Sequence, residues 1–96
     1  MNKKTILQQK RQQILDIASQ YGASNVRIFG SVARGKETAE SDIDFLVELP
    51  SDFTLLDQIA LIQSLEDLLE CKIDLTETDS LHPLIKEQVL QEAIPL

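Results

Sequence analysis

Apolar residues recur at helical spacing near both ends of the chain and in its middle, and short β-branched runs lie between. Leu7, Ile14, Ala18 and Tyr21, with Ile17 beside them, fall on one face of a helix over residues 4–21. Gln8, Gln9, Lys10, Arg11, Gln12 and Gln13 fill the polar side, which reads as solvated surface, with a partner-binding face as the other option. Gly22 is placed to stop this helix. Val26-Arg27-Ile28-Phe29 reads as a short strand ending at Gly30-Ser31. Val32-Ala33-Arg34 fits one helical turn closed by Gly35, with Ser31 set to cap it and leave backbone N–H groups facing outward, where they suit an anion. Residues 36–41 are polar and read as a loop.

From Asp42 to Leu49 the pattern alternates and then meets Pro50, as a strand does. Ile43, Phe45, Val47 and Leu49 share the face that suits a core, and Asp42 and Asp44 share the other. Residues 54–70 form the clearest helix, with Thr54 as N-cap and Asp57 three residues on as its reciprocal partner. Leu55, Ile59, Ile62, Leu65 and Leu69 make its apolar stripe, and Leu56, Leu61 and Leu68 widen it; the surplus is assigned to the core, with some of it available to a partner. A third strand covers Lys72–Thr76, with Asp74 and Thr76 turned away from Ile73 and Leu75. The last helix spans Leu81–Ala93, takes Pro83 in its first turn, turns Leu84, Ile85, Val89 and Leu90 inward, and is stopped by Pro95. Three strands alternating with helices predict an α/β (α+β) fold, a small β-sheet with helices packed on it.

Ninety-six residues suffice for one domain, read as residues 1–96. Nine basic against sixteen acidic side chains give a net charge of −7, which argues against broad binding to a nucleic-acid backbone. A nucleotide held through a bound cation is still allowed, because the cation reverses the local sign. Cys71 is the only cysteine, so no internal disulfide and no cysteine-rich zinc site is available; it reads as a small apolar residue near a strand. No signal peptide is visible and no run approaches the ~20 apolar residues of a membrane span, so a cytoplasmic protein is expected. His82, the only histidine, reads as a cap or surface residue at a helix start.

The chemistry concentrates in residues 30–49 and at Asp74. Two aspartates at i and i+2 on one strand face repel each other unless a cation lies between them. A third on a neighbouring strand would complete a hard-oxygen set suited to Mg²⁺ or Mn²⁺. Two such ions ~3.5–4 Å apart clamp the attacking and leaving oxygens of an in-line phosphoryl displacement. In that scheme Asp42 and Asp44 share the metals, and Asp74 touches the one nearer the nucleophile and helps take its proton. Gly30 lets the backbone approach a phosphate, Ser31 offers a hydroxyl and an N–H, and Arg34 offers a guanidinium fork. Each piece alone is commonplace, since most Gly-Ser pairs are simply turns and most Asp-x-Asp pairs are solvated. Their order along one strand–turn–strand–helix–strand path is far more specific.

Gly30-Ser31-x-x-Arg34-Gly35 followed by Ser41-Asp42-x-Asp44 resembles the signature of the polymerase-β-like nucleotidyltransferase superfamily, and in particular the minimal nucleotidyltransferases of bacteria and archaea. The likeness runs nearly end to end, strongest in the first motif and softer toward the termini. It implies the polymerase-β-like nucleotidyltransferase fold with a small mixed β-sheet, and an antitoxin paired with a HEPN-domain ribonuclease toxin in a hetero-oligomer, transferring AMP from ATP to a tyrosine of that partner. It implies phosphate binding at Gly30 and Ser31, metal binding at Asp42, Asp44 and Asp74, and a nucleotide-binding role at Arg34. A chain of this size leaves little room for an acceptor-binding domain, which agrees with a protein acceptor, and the acidic charge favours a basic one. Two other readings stand beside this one: an antitoxin that neutralises its partner by contact alone, and a transferase acting on a small molecule.

Overall fold

The computed structural model describes residues 3–36, 38 and 40–96. The elements run α1 (Lys3–Gln9), α2 (Arg11–Gln20), β1 (Ser24–Phe29), α3 (Gly30–Ala33), β2 (Ile43–Glu48), α4 (Leu55–Leu69), β3 (Ile73–Glu77), a single 3₁₀ turn (Thr78–Ser80), α5 (Pro83–Glu92) and β4 (Ile94–Pro95). One mixed sheet has the strand order β3-β2-β1-β4. β1 runs antiparallel to both β2 and β4, and β2 runs parallel to β3 through the α4 crossover.

The first predicted helix is two helices that break at Lys10, whose backbone sits at φ −102, ψ 14. Its Nζ donates to Leu68 O at 2.9 Å, near the end of α4, where unpaired helical carbonyls welcome a cation. A tertiary bond thus goes with a bend that the apolar period does not signal. Gly22 ends α2 as expected: at φ +77 it lets Gly22 N reach Ser19 O and Ala23 N reach Ala18 O, the paired closure that favours glycine. Thr54 and Asp57 cap α4 reciprocally, Asp57 N donating to Thr54 Oγ1 at 3.1 Å and Thr54 N to Asp57 Oδ2 at 3.0 Å.

Leu7, Ile14, Ala18, Val26, Ile28, Val32, Ile43, Phe45, Val47, Leu61, Leu65, Leu69, Ile73 and Leu75 are buried together between the sheet and α1, α2 and α4. The outer helix assignments need correction. On α4 only Leu61, Leu65 and Leu69 are buried, while Leu55 is 72% exposed, Leu56 78% and Ile59 57%. α4 packs against α2 and β3, and those elements leave the outward side of its first two turns uncovered. α5 contributes no buried residue: Leu84 and Ile85, expected inside, are exposed, and Val89 and Leu90 are half-buried. Pro95, read as a stop, instead joins Ile94 in a two-residue edge strand against Arg27 and Ile28. Proline is tolerated there because an edge strand needs no donor on its outer side.

Candidate active site

The sheet brings the sequence-predicted residues to one end. The parallel β2–β3 register sets Asp44 opposite Asp74, and the antiparallel β1–β2 register sets Phe29 opposite Asp44. The residue after Phe29 is Gly30, so the β1 turn is delivered directly to the Asp44 carboxylate. Gly30 adopts φ +73, and a Cβ built there would overlap Asp44 Oδ2 and lie 3.1 Å from its Cγ. Only a residue without a side chain gives the backbone this approach. Asp42 is exposed and lies just before β2, one residue ahead of Ile43, whose N–H donates to Lys72 O.

α3 is a four-residue turn over Gly30–Ala33, anchored by the fully buried Val32. Its N-cap position is Phe29 and no side chain caps it, so Ser31 sits inside the turn and not at its cap as the sequence suggested. The turn closes through Arg34 N to Gly30 O, Gly35 N to Val32 O and Lys36 N to Ser31 O. The Arg34 guanidinium pairs with Glu92 Oε2 of α5 at 3.6 Å, with both side chains substantially exposed. Of the polar loop over residues 36–41, Glu37 and Ala39 lie outside the described residues.

The electrostatics single out Asp44. Burial pushes its carboxyl pKa above the ordinary value, the neighbouring Asp74 and then Asp42 push it further, and Arg34 pulls it back. Asp44 thus faces two neighbouring carboxylates at the sheet end, and a cation beside it would relieve that repulsion. Among the described residues no three carboxylate, imidazole or thiol groups already converge on a common point. The donor set itself is all carboxylate oxygen, which suits a hard divalent cation. Cys71, just before β3, packs against the core edge with its thiol pushed up by burial, which makes it a poor nucleophile. His82 caps α5, its Nδ1 accepting from Leu84 N at 3.1 Å.

The sequence pattern of the nucleotidyltransferase domain family matches residues 10–96. The chain belongs to this family. It is 38% identical over 84 residues, 88% of this chain and 90% of the other, to a candidate protein adenylyltransferase of Methanocaldococcus jannaschii. It is 34% identical over 79 residues, 82% and 80% of the two chains, to protein adenylyltransferase MntA of Thermococcus cleftensis. Among solved structures it is similar to a candidate minimal nucleotidyltransferase at 44% identity and a TM-score of 0.87, covering 100% of this chain and 97% of that one. A toxin–antitoxin complex with AMP-PNP gives a TM-score of 0.73 at 22% identity, covering 88% and 69%. A tri-AMPylated Shewanella oneidensis HEPN toxin in complex with its MNT antitoxin gives 0.68 at 20%, covering 92% and 69%. At those last two identities the likeness is one of fold. The chain is a nucleotidyltransferase, and its mixed sheet is the one the resemblance implied. Sequence reasoning missed Glu92, because nothing in the pattern links it to Arg34 across 58 positions.

Proposed function

We propose that this nucleotidyltransferase, with residues 1–96 as one catalytic domain, is the antitoxin of a HEPN ribonuclease toxin and silences it by transferring AMP from ATP to a tyrosine. The observation that carries the reading is the Asp44–Asp74 register pair with the Gly30 backbone packed against Asp44. Likeness over four-fifths or more of both chains to proteins named protein adenylyltransferases supports a protein acceptor.

In this reading Gly30 and Ser31 line the nucleotide phosphates with close backbone and a hydroxyl, and Arg34 adds a cationic fork once it leaves Glu92. Asp42, Asp44 and Asp74 would hold Mg²⁺, two ions by the family resemblance, with Mn²⁺ as a substitute. The metal would supply charge neutralisation at the transferring phosphate. The acceptor oxygen bonds to the α-phosphorus, the bond from that phosphorus to the bridging β-phosphate oxygen breaks, and diphosphate leaves. The acceptor proton passes to a carboxylate, a role this reading gives to Asp74; its exposure on the strand beside Asp44 supports that assignment. The partner supplies the tyrosine and much of the surface that orients it.

Intact-mass spectrometry of the partner after incubation with this chain, ATP and Mg²⁺ tests the proposal. The expected result is a partner heavier by one or more AMP units, and an unchanged mass refutes transfer. A second reading, neutralisation by contact alone, draws on the exposed Leu55, Leu56, Ile59 and Leu84. A doubly substituted Asp42→Asn, Asp44→Asn chain that still neutralises its partner fully at equal concentration would establish it.

A further inference from the structure

Asp42 lies outside the hydrogen-bonded strand, so something other than the sheet must fix the chain on its N-terminal side. The structure supplies it from the far end of the sequence. Lys3, in the first turn of α1, donates from Nζ to Ser41 O at 2.5 Å and to Thr38 O at 2.9 Å. Ser41 O belongs to the peptide bond that leads into Asp42. Two further bonds knit the same turn, from Ser41 N to Thr38 O at 3.1 Å and from Thr38 N to Ser41 Oγ at 2.8 Å. On the other side, Ile43 N is tied to Lys72 O at 3.0 Å. Asp42 is therefore suspended between an ammonium anchor and a strand anchor.

We propose that Lys3 is a positioning residue for the metal site: through the Ser41 and Thr38 carbonyls it holds the Asp42 backbone where its carboxylate can join Asp44. The inference rests on the reading of Asp42 as a ligand of a divalent cation. Charge-assisted bonds from an ammonium to two carbonyls are stronger than neutral ones and fix a loop against a helix that is itself seated in the core by Leu7. An ammonium carries only donors, so it holds the turn without competing as a metal ligand. Lys3 precedes residue 10, where the family pattern begins, so that pattern assigns it no role.

The test is Mn²⁺ binding to the chain, followed by the EPR signal of the free ion, in wild type, Lys3→Met, Lys3→Arg and Asp42→Asn, with Tm measured alongside. Lys3→Met is expected to weaken Mn²⁺ binding about tenfold, the scale on which an outer partner of a metal ligand acts, while Tm stays near the wild-type value. Lys3→Arg, which keeps cationic donors, recovers most of the affinity. In transfer assays the metal concentration at half-maximal rate rises for Lys3→Met, while the rate at saturating metal holds. A Lys3→Met chain that binds Mn²⁺ like wild type, with Asp42→Asn impaired, overturns the role of Lys3 and leaves the metal reading standing. An Asp42→Asn chain that binds like wild type, or a wild type that binds none, overturns both. Should Lys3→Met not fold, Lys3→Gln is read by the same titration and the same outcomes.

Discussion

The Cα of Gly30 faces the carboxylate of Asp44 so closely that any side chain at position 30 would occupy the space of Asp44 Oδ2. The two residues are adjacent through the β1–β2 register and belong to the two halves of the proposed site, the phosphate turn and the acidic pair. Gly30→Ala carries two penalties. At φ +73 an L-residue is strained by about 1–3 kcal/mol, and its Cβ must push Asp44 aside. The expected outcome is a lower Tm together with a loss of transfer of about 100-fold, the scale on which a displacement of ~1 Å acts at a reacting centre. Thermal melting and the initial transfer rate measure the two effects separately.

Asp44 is held in a setting that disfavours its own charge. Burial, Asp74 and Asp42 all raise its pKa. A carboxyl whose folded-state pKa exceeds its unfolded value contributes stability that is complete at pH below the unfolded value and is lost as pH rises through the folded value. Asp44→Asn removes that loss. Without divalent metal, the variant is expected to melt at a higher temperature than wild type at pH 7, and the difference should shrink as the pH approaches 4. Transfer by Asp44→Asn should fall more than the ~100-fold that loss of an outer partner of a metal ligand can bring. Melting curves from pH 4 to 7 in chelator check the sign, and an unchanged difference across that range would contradict it.

In the proposed function, Glu92 competes with the nucleotide for Arg34. The ion pair is exposed on both sides, and such pairs contribute about 0–1 kcal/mol. Releasing Arg34 by Glu92→Gln is expected to lower the KM for ATP by up to about fivefold, that energy expressed as a ratio, with kcat nearly unchanged. Arg34→Gln should move KM the other way. Steady-state kinetics with varied ATP at fixed metal distinguishes this from a structural effect, which would change kcat and Tm together.

Local chemistry made much of this fold legible in the sequence. Glycine at 22 and the Thr54–Asp57 pair act within a few residues, so the chain declares them without reference to anything distant. The alternation from Ile43 to Val47 and the Asp-x-Asp before and within it are likewise local, and the family motif across residues 30–44 depends on order and spacing alone. Where sequence reading erred, the deciding partner was remote. The bend at Lys10 goes with the Leu68 carbonyl, the strand at Ile94–Pro95 exists because β1 offers it an edge, and α5 leaves Leu84 and Ile85 exposed. An apolar period marks which side of a helix is able to be buried and not whether a neighbour arrives to bury it.

The site divides in the same way. By itself the sequence determined which groups are available: a glycine turn, an arginine and three aspartates on strands or just before them, all hard-oxygen or phosphate chemistry. Only the tertiary structure decided how they meet. The parallel pairing of β2 with β3 sets Asp44 beside Asp74 across 30 positions, Gly30 is pressed against Asp44 by an antiparallel register, and Lys3 reaches the turn before Asp42 from 38 positions away. Those meetings are long-range because strand pairing and helix packing, which join residues far apart in the chain, follow from burying the common core rather than from any local preference.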